Sequence, residues 1–425
     1  MTQVVTNSLF WMVLAGLAGF YILDSVAALL GLRSVQRHAG AADGMPESVA
    51  SIYDSGEWRR LEQYTSANTK AELLESAFGF ALILLFWLSG GFGILNRLIG
   101  KWGLGAVPGG VLFIALLWAG RWLLFLPFGI HHTFCIEQKF GFNKTTPRTY
   151  AVDQAKSLLI AIVLGGPVLA VVLALLDYRG PRAWLYAWIF TSLLLFVFAW
   201  LAPAILMPLF NKFMPLERGD LKDAIIRYAR SNAFPIQDIF VMDGSRRSTR
   251  ANAFFTGFGR TRKIVLFDTL IKNHTSDELV AVLAHEIGHY KRRHIIQKLA
   301  SGVCNIGLFL FLASILIRSP ALAEAFGIRS VPVYGGLAVF LLAYGPIGRL
   351  ISLAAGFQSR RHEYSADRFA VETTGKRQPM IDALKKLSKN NLANLVPHAL
   401  QVVLHYSHPP LARRIAAIQA IPSLK

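Results

Sequence analysis

The sequence predicts a mainly α, polytopic membrane protein with seven transmembrane helices, carrying a polar segment that holds a small β-hairpin and a metal-binding helix. Three observations lead there. Hydrophobic residues fill 54% of the 425 positions and charged residues only 16%, whereas an ordinary soluble chain carries about 25% charge. Seven apolar runs approach or exceed the ~20 residues that cross a bilayer as a helix. The third is His285-Glu286-Ile287-Gly288-His289, set in a stretch whose apolar residues recur at helical spacing.

In chain order the apolar runs are Leu9 to Leu32, Ala77 to Leu95, Ala106 to Ile130, Leu158 to Leu176, Trp184 to Leu209, Leu299 to Ile317 and Val331 to Phe357. They divide the chain into four parts. Residues 1–209 hold five spans and their loops, 210–298 a polar segment with the histidine motif, 299–357 spans six and seven, and 358–425 a polar C-terminal segment. Seven crossings place the termini on opposite sides. Arg33, Arg37, Arg59, Arg60, Lys70, Lys139, Lys144, Arg148 and Lys156 fall on one side, against Arg97, Lys101, Arg179, Arg182, Arg318 and Arg329 on the other. The positive-inside rule then puts the C-terminus in the cytoplasm.

The formal charge of +19 resides mainly between and after the apolar runs, which fits contact with anionic lipid headgroups. No basic aromatic repeat or zinc-finger spacing supports nucleic acid as a partner. Cys135 and Cys304 are the only cysteines, too few and too far apart for a disulfide framework. No cleaved signal is expected, since the first seven residues lack Lys and Arg and the apolar run is too long for a signal core. Asp24, Arg121 and Arg349 lie inside spans; each should face a partner, the protein interior or a watery cavity.

Between spans five and six, a helix is expected over Leu221 to Arg230 and a strand over Ile239 to Met242. Two β-prone runs between Asn252 and Phe267, around a glycine-containing turn, read as a hairpin. Beside a metal helix such a hairpin edge could hydrogen-bond an extended peptide, or it could simply support the helix. Asn252 is the polar residue of interest there.

Thr275 and Glu278 form a capping box ahead of Leu279, Val282, Leu283 and Ile287, which starts the metal-binding helix. Four residues apart, His285 and His289 share a helix face and can share one ion. Glu286, about 100° further round, can reach a metal-bound water and is the candidate general base. A hydrolytic zinc needs a third protein ligand and an open position. Glu363 is the choice and His362 its rival, because adjacent side chains on a helix diverge by roughly 100°. Asp367, one turn later, could orient a ligating histidine. Spans six and seven separate His289 from Glu363, and two crossings return the chain to the same membrane face. A helix is expected over Met380 to Lys389. In the tail, His408 could stabilise an oxyanion and Arg414 could pair with an acid such as Asp367.

With these residues in hand, the chain resembles the type I CAAX prenyl protease family of integral-membrane zinc metallopeptidases. The resemblance is carried by Phe140 to Thr146, Asp243 to Ser248, Asn252 to Phe255, Ile264 to Leu270, the His285 to His289 motif, Glu363 to Asp367 and His408-Pro409-Pro410, in the family order. It implies one zinc ion on His285, His289 and Glu363, with Glu286 as catalytic acid/base. It also implies Asn252 and His408 at the substrate and Asp367 and Arg414 in support. Seven helices enclosing a water-filled chamber, with the zinc site near its cytosolic side, are implied as well. Arg413 departs from the pattern, standing where relatives often have an acid. The compact loops look like those of a bacterial member in a plasma membrane.

The expected activity is zinc-dependent peptide hydrolysis, with prenylated CAAX peptides as the substrate class and turnover of membrane-associated proteins as the alternative. A transporter or receptor would need no hydrolytic motif. A metal helix sunk in lipid is opposed by Lys291-Arg292-Arg293-His294 directly after the motif.

Overall fold

The computed structural model describes residues 4–38, 47–178, 180, 182–236, 238–256, 263–328 and 332–422. Among them seven helices are long and apolar enough to cross a membrane: Ser8–His38, Ser55–Leu88, Ala106–Glu137, Pro147–Asp177, Ala183–Phe210, His294–Leu316 and Val333–Thr374. Each packs on the next in chain order, and the seventh packs back on the first. The spans therefore close into a ring around a chamber.

Two spans outrun their apolar stretches. The second begins at Ser55, where the Asp54 side chain and Glu57 form a capping box, and it stops at Leu88 instead of Leu95. Gly90, at φ 74°, turns the chain into a separate helix, Gly91–Gly100. The seventh continues unbroken to Thr374. Hydropathy marks only the lipid-immersed part of a helix, whereas backbone hydrogen bonding continues until a cap or a glycine ends it.

Aromatic packing seals the ring at one end. Trp87 stacks on Phe326 with centroids 4.4 Å apart and donates its Nε1–H to the Ala325 carbonyl at 2.7 Å. Gly336 lets spans six and seven meet there, since a Cβ would fall 1.7 Å from the Ile317 carbonyl oxygen. At the other end a mixed four-stranded sheet has the order β1 (Phe213–Pro215), β2 (Asp238–Met242), β4 (Lys263–Phe267), β3 (Ala253–Thr256). β3 and β4 pair antiparallel, as the hairpin reading requires, while β2 runs parallel to β4. The turn at residues 257–262 lies outside the described residues, as do Arg179 and Arg329 of the charge count and Val331 of the seventh run.

Helices Asp220–Ser231 and Arg377–Asn390 fall where the sequence puts them, and Leu411–Gln419 packs on the second of these. Ile225, Leu266, Leu270, Leu283, Ile287 and Ile415 share this second core. The loop after the third span clasps it. Asn143 bridges Ser248, Lys144 N–H donates to the Arg247 carbonyl at 3.0 Å, and the Arg247 guanidinium holds both oxygens of Asp153 at 2.8 and 3.0 Å.

Between the two cores, Lys298, Ser301, Asn305, Arg349, Ser352 and His362 are among the residues lining a cavity of about 580 Å³. Two intramembrane charges have found partners: Arg349 pairs with Asp24, beside which His405 Nε2 lies 3.4 Å away. Arg121 instead sits over the Phe125 ring, 4.2 Å from its centroid, where the ring's negative face attracts a cation.

Candidate metal centre

The helix Ser276–Lys291 supplies two of the three groups that could hold a metal ion, His285, His289 and Glu363. Thr275 and Glu278 close its capping box reciprocally, the backbone N–H of Thr275 donating to Glu278 at 2.9 Å. Leu279, Leu283 and Ile287 are buried, which fixes the rotation of the helix and turns His285 and His289 toward the seventh span. Arg293, in the left-handed region at φ 58°, then swings the chain into span six at His294.

The third donor rides on the seventh span itself. Its 42 residues extend about 63 Å at 1.5 Å per residue, roughly twice the ~30 Å hydrocarbon thickness. Glu363, buried at 3% exposure, therefore sits on the same rod that crosses the membrane. The two helices approach closely because residue 288 is glycine: a Cβ there would lie 3.1 Å from Ala366 Cα.

The two imidazoles and the Glu363 carboxylate form a triangle of donor groups, the carboxylate turning one oxygen toward each ring. His285 Nε2 and His289 Nε2 are 3.1 Å apart, His285 Nε2 is 3.4 Å from Glu363 Oε2, and His289 Nε2 is 3.3 Å from Glu363 Oε1. A tetrahedral ion with bonds of ~2.0–2.1 Å requires edges of about 3.3–3.4 Å. Two imidazole lone pairs and a carboxylate held this close repel each other unless a cation sits among them. This donor set suits zinc.

Asp367 and Arg414 brace the triangle. Asp367 Oδ1 lies 2.8 Å from His285 Nδ1, which leaves Nε2 unprotonated for the metal. Arg414 donates from Nε and Nη2 to the two Asp367 oxygens at 2.8 and 2.6 Å, and its Nη1 lies 3.5 Å from Glu363 Oε2. Burial opposes the Arg414 charge, but the Asp367 and Glu363 carboxylates outweigh it and raise its pKa. Glu286 follows His285 on the ligand helix; burial raises its carboxyl above the usual range, against the pull of the two imidazoles.

His362, the rival ligand, points elsewhere. Its Nε2 meets Gln297 Oε1 at 2.8 Å, and its ring stacks on His294 at 3.9 Å. His294 in turn lies with Nδ1 2.9 Å from His289 Nδ1, so His289 is braced by an imidazole where His285 is braced by a carboxylate. The sequence assigns His294 no role beyond the polar run after the motif, and Gln297 none. The only signal was position, at the start of a span just beyond the basic turn.

His408 Nε2 lies 3.4 Å from Glu363 Oε1 with a solvent-accessible side chain, and Ser407 Oγ is 2.9 Å from its Nδ1. Arg360 anchors this strap by donating to the Tyr406 and Val402 carbonyls at 2.6 and 3.2 Å. Asn252 is exposed, immediately before β3, and its carbonyl accepts from Phe267 N–H at 3.1 Å. β3 packs against the ligand helix and forms an edge of the sheet.

Comparison with known proteins matches residues 35–212 to the family "CAAX prenyl protease N-terminal, five membrane helices" and residues 215–422 to "Peptidase family M48". The CAAX prenyl protease 1 homolog of Oryza sativa subsp. japonica is 38% identical over 71% of each chain. The Homo sapiens CAAX prenyl protease 1 homolog is 31% identical over 89% of each. The crystal structure of S. mikatae Ste24p superimposes with a TM-score of 0.91 at 30% identity, covering 97% of this chain and all of that one.

Proposed function

We infer the chemistry from the premise that this chain belongs to the CAAX prenyl protease family of M48 peptidases, and so is a multi-pass integral-membrane zinc metalloendopeptidase. The transporter and receptor reading gives way to that membership. The triangle of donor groups carries the assignment of roles: His285, His289 and Glu363 would hold one zinc ion, leaving a fourth position open. A zinc ion there supplies a Lewis acid that polarises the scissile carbonyl and acidifies a water molecule.

The side chains do the rest. Glu286, its carboxyl raised by burial, takes the proton of the attacking water and delivers it to the leaving amine. His408 donates to the oxyanion from the open side of Glu363. The free edge of β3 holds the peptide backbone extended, with Asn252 at its start binding the substrate. Asp367 orients His285, and Arg414 keeps Asp367 ionised and in place.

The substrate class is a prenylated CAAX peptide cut near its C-terminus, in keeping with the names of the relatives. The site faces the cytoplasm, as the basic loops require, and the compact loops favour a bacterial plasma membrane. The test is metal analysis of the purified protein, followed by mass spectrometry of products from a prenylated peptide and its unprenylated twin. Cleavage of the prenylated peptide alone is expected. Equal cleavage of both would replace this substrate class with general turnover of membrane-associated proteins, and cleavage of neither by zinc-loaded protein would overturn it.

A further inference from the structure

A second cavity, of about 500 Å³, lies outside the metal centre, between the end of span seven and the C-terminal strap. Its lining includes Phe357, Arg360, Arg361, Tyr364, Val403 and Arg413, and no acidic side chain. Among the described residues, Arg361 and Arg413 have no carboxylate partner. Arg361 instead lies over the Phe357 ring at 5.9 Å.

Position along span seven decides what this cavity meets. At about 100° per residue, Ile347, Leu350, Phe357 and Arg361 share a face roughly opposite Ser352, Gly356 and Ser359. The latter three line the chamber-side cavity. The first face is therefore turned outward, to lipid. Leu350 is 63% and Phe357 59% exposed, while Val403 stands between this cavity and the chamber-side one and lines both. An apolar stripe that climbs to two unpaired guanidiniums at the end of a membrane span matches acyl chains below and a phosphate above. Lipid-level arginines attract anionic headgroups and can grip phosphate in a fork.

We propose that this cavity binds an anionic phospholipid, with Arg361 and Arg413 on the headgroup phosphate and Phe357 and Leu350 against the acyl chains. The proposal needs only the membrane placement of span seven and is independent of the peptidase chemistry.

The test uses full-length protein purified in neutral detergent and reconstituted in vesicles of phosphatidylcholine with phosphatidylglycerol. Phosphatidylglycerol retained after detergent washing is measured by mass spectrometry, alongside bound zinc as a check on folding. Each arginine removed should cut retention about fivefold, from ~1 kcal/mol per charge near the surface. Arg361→Gln/Arg413→Gln and Arg413→Glu should both lose lipid at unchanged zinc. Arg368→Gln, on the same helix but paired with Glu372 at 2.7 Å, should retain it. Wild-type retention in Arg413→Glu and in the double variant would overturn the proposal. So would displacement by soluble glycerol 3-phosphate at concentrations matching the lipid, which would mark a phosphate site with no use for the acyl chains.

Discussion

Arg414 grips Asp367 through two parallel hydrogen bonds, 2.8 and 2.6 Å long, with both side chains buried. They sit 47 residues apart, on the last helix of the chain and the last span. The pair ties the C-terminal helix to the rod that carries Glu363. Removing one partner leaves the other charge buried and alone, which costs about 3–5 kcal/mol. Arg414→Met should therefore lower the thermal unfolding midpoint strongly. Arg414→Met/Asp367→Asn should fall less than the sum of the single losses, because the coupling is counted once. Additive losses would show that the pair does not act as a unit.

Glu286→Gln removes the proton acceptor without touching the donor triangle. Zinc content should stay at the wild-type level while peptide cleavage falls by about 10²- to 10⁴-fold. Metal analysis and a cleavage assay on the same preparation check this, and surviving cleavage would remove Glu286 from the mechanism.

The choice between Glu363 and His362 as third ligand turns on which side chain enters the triangle. Glu363→Gln should lose most of its zinc. His362→Gln should keep it, since His362 spends its Nε2 on Gln297. A reversed result in equilibrium dialysis would make His362 the ligand.

His294 fixes the ring of His289 from behind, 2.9 Å away at Nδ1. Losing such a brace typically weakens metal binding about 10- to 100-fold. His294→Ala should show this in competition with a zinc chelator, and His294→Asn, which can still accept the Nδ1 hydrogen bond, should recover part of it. No change in either variant would leave His294 a packing residue.

Gly288 lets the ligand helix lie against Ala366, where an added Cβ would meet backbone atoms at 3.1 and 3.2 Å. Gly288→Ala should push the helices apart by a few tenths of an ångström and weaken zinc binding. Gly120→Ala, in the third span with no neighbouring element within 4 Å of its Cβ, should bind zinc normally.

What the sequence determined by itself is local in origin. Seven spans are legible because each declares its lipid solvent through about 20 apolar residues. The ligand helix is legible because a capping box and a period near 3.6 place His285 and His289 on one face. Glu363 could be nominated from its own stretch, with Asp367 one helical turn on, and the two crossings after His289 return it to the same face. Tertiary structure alone decided that Glu363 and not His362 turns inward, that Gly288 sets the approach of the two helices, that Arg414 closes on Asp367, and that His294 stands behind His289. Each of these depends on how two distant helices rotate and cross, a choice made by packing across the whole ring, and no short-range periodicity encodes it.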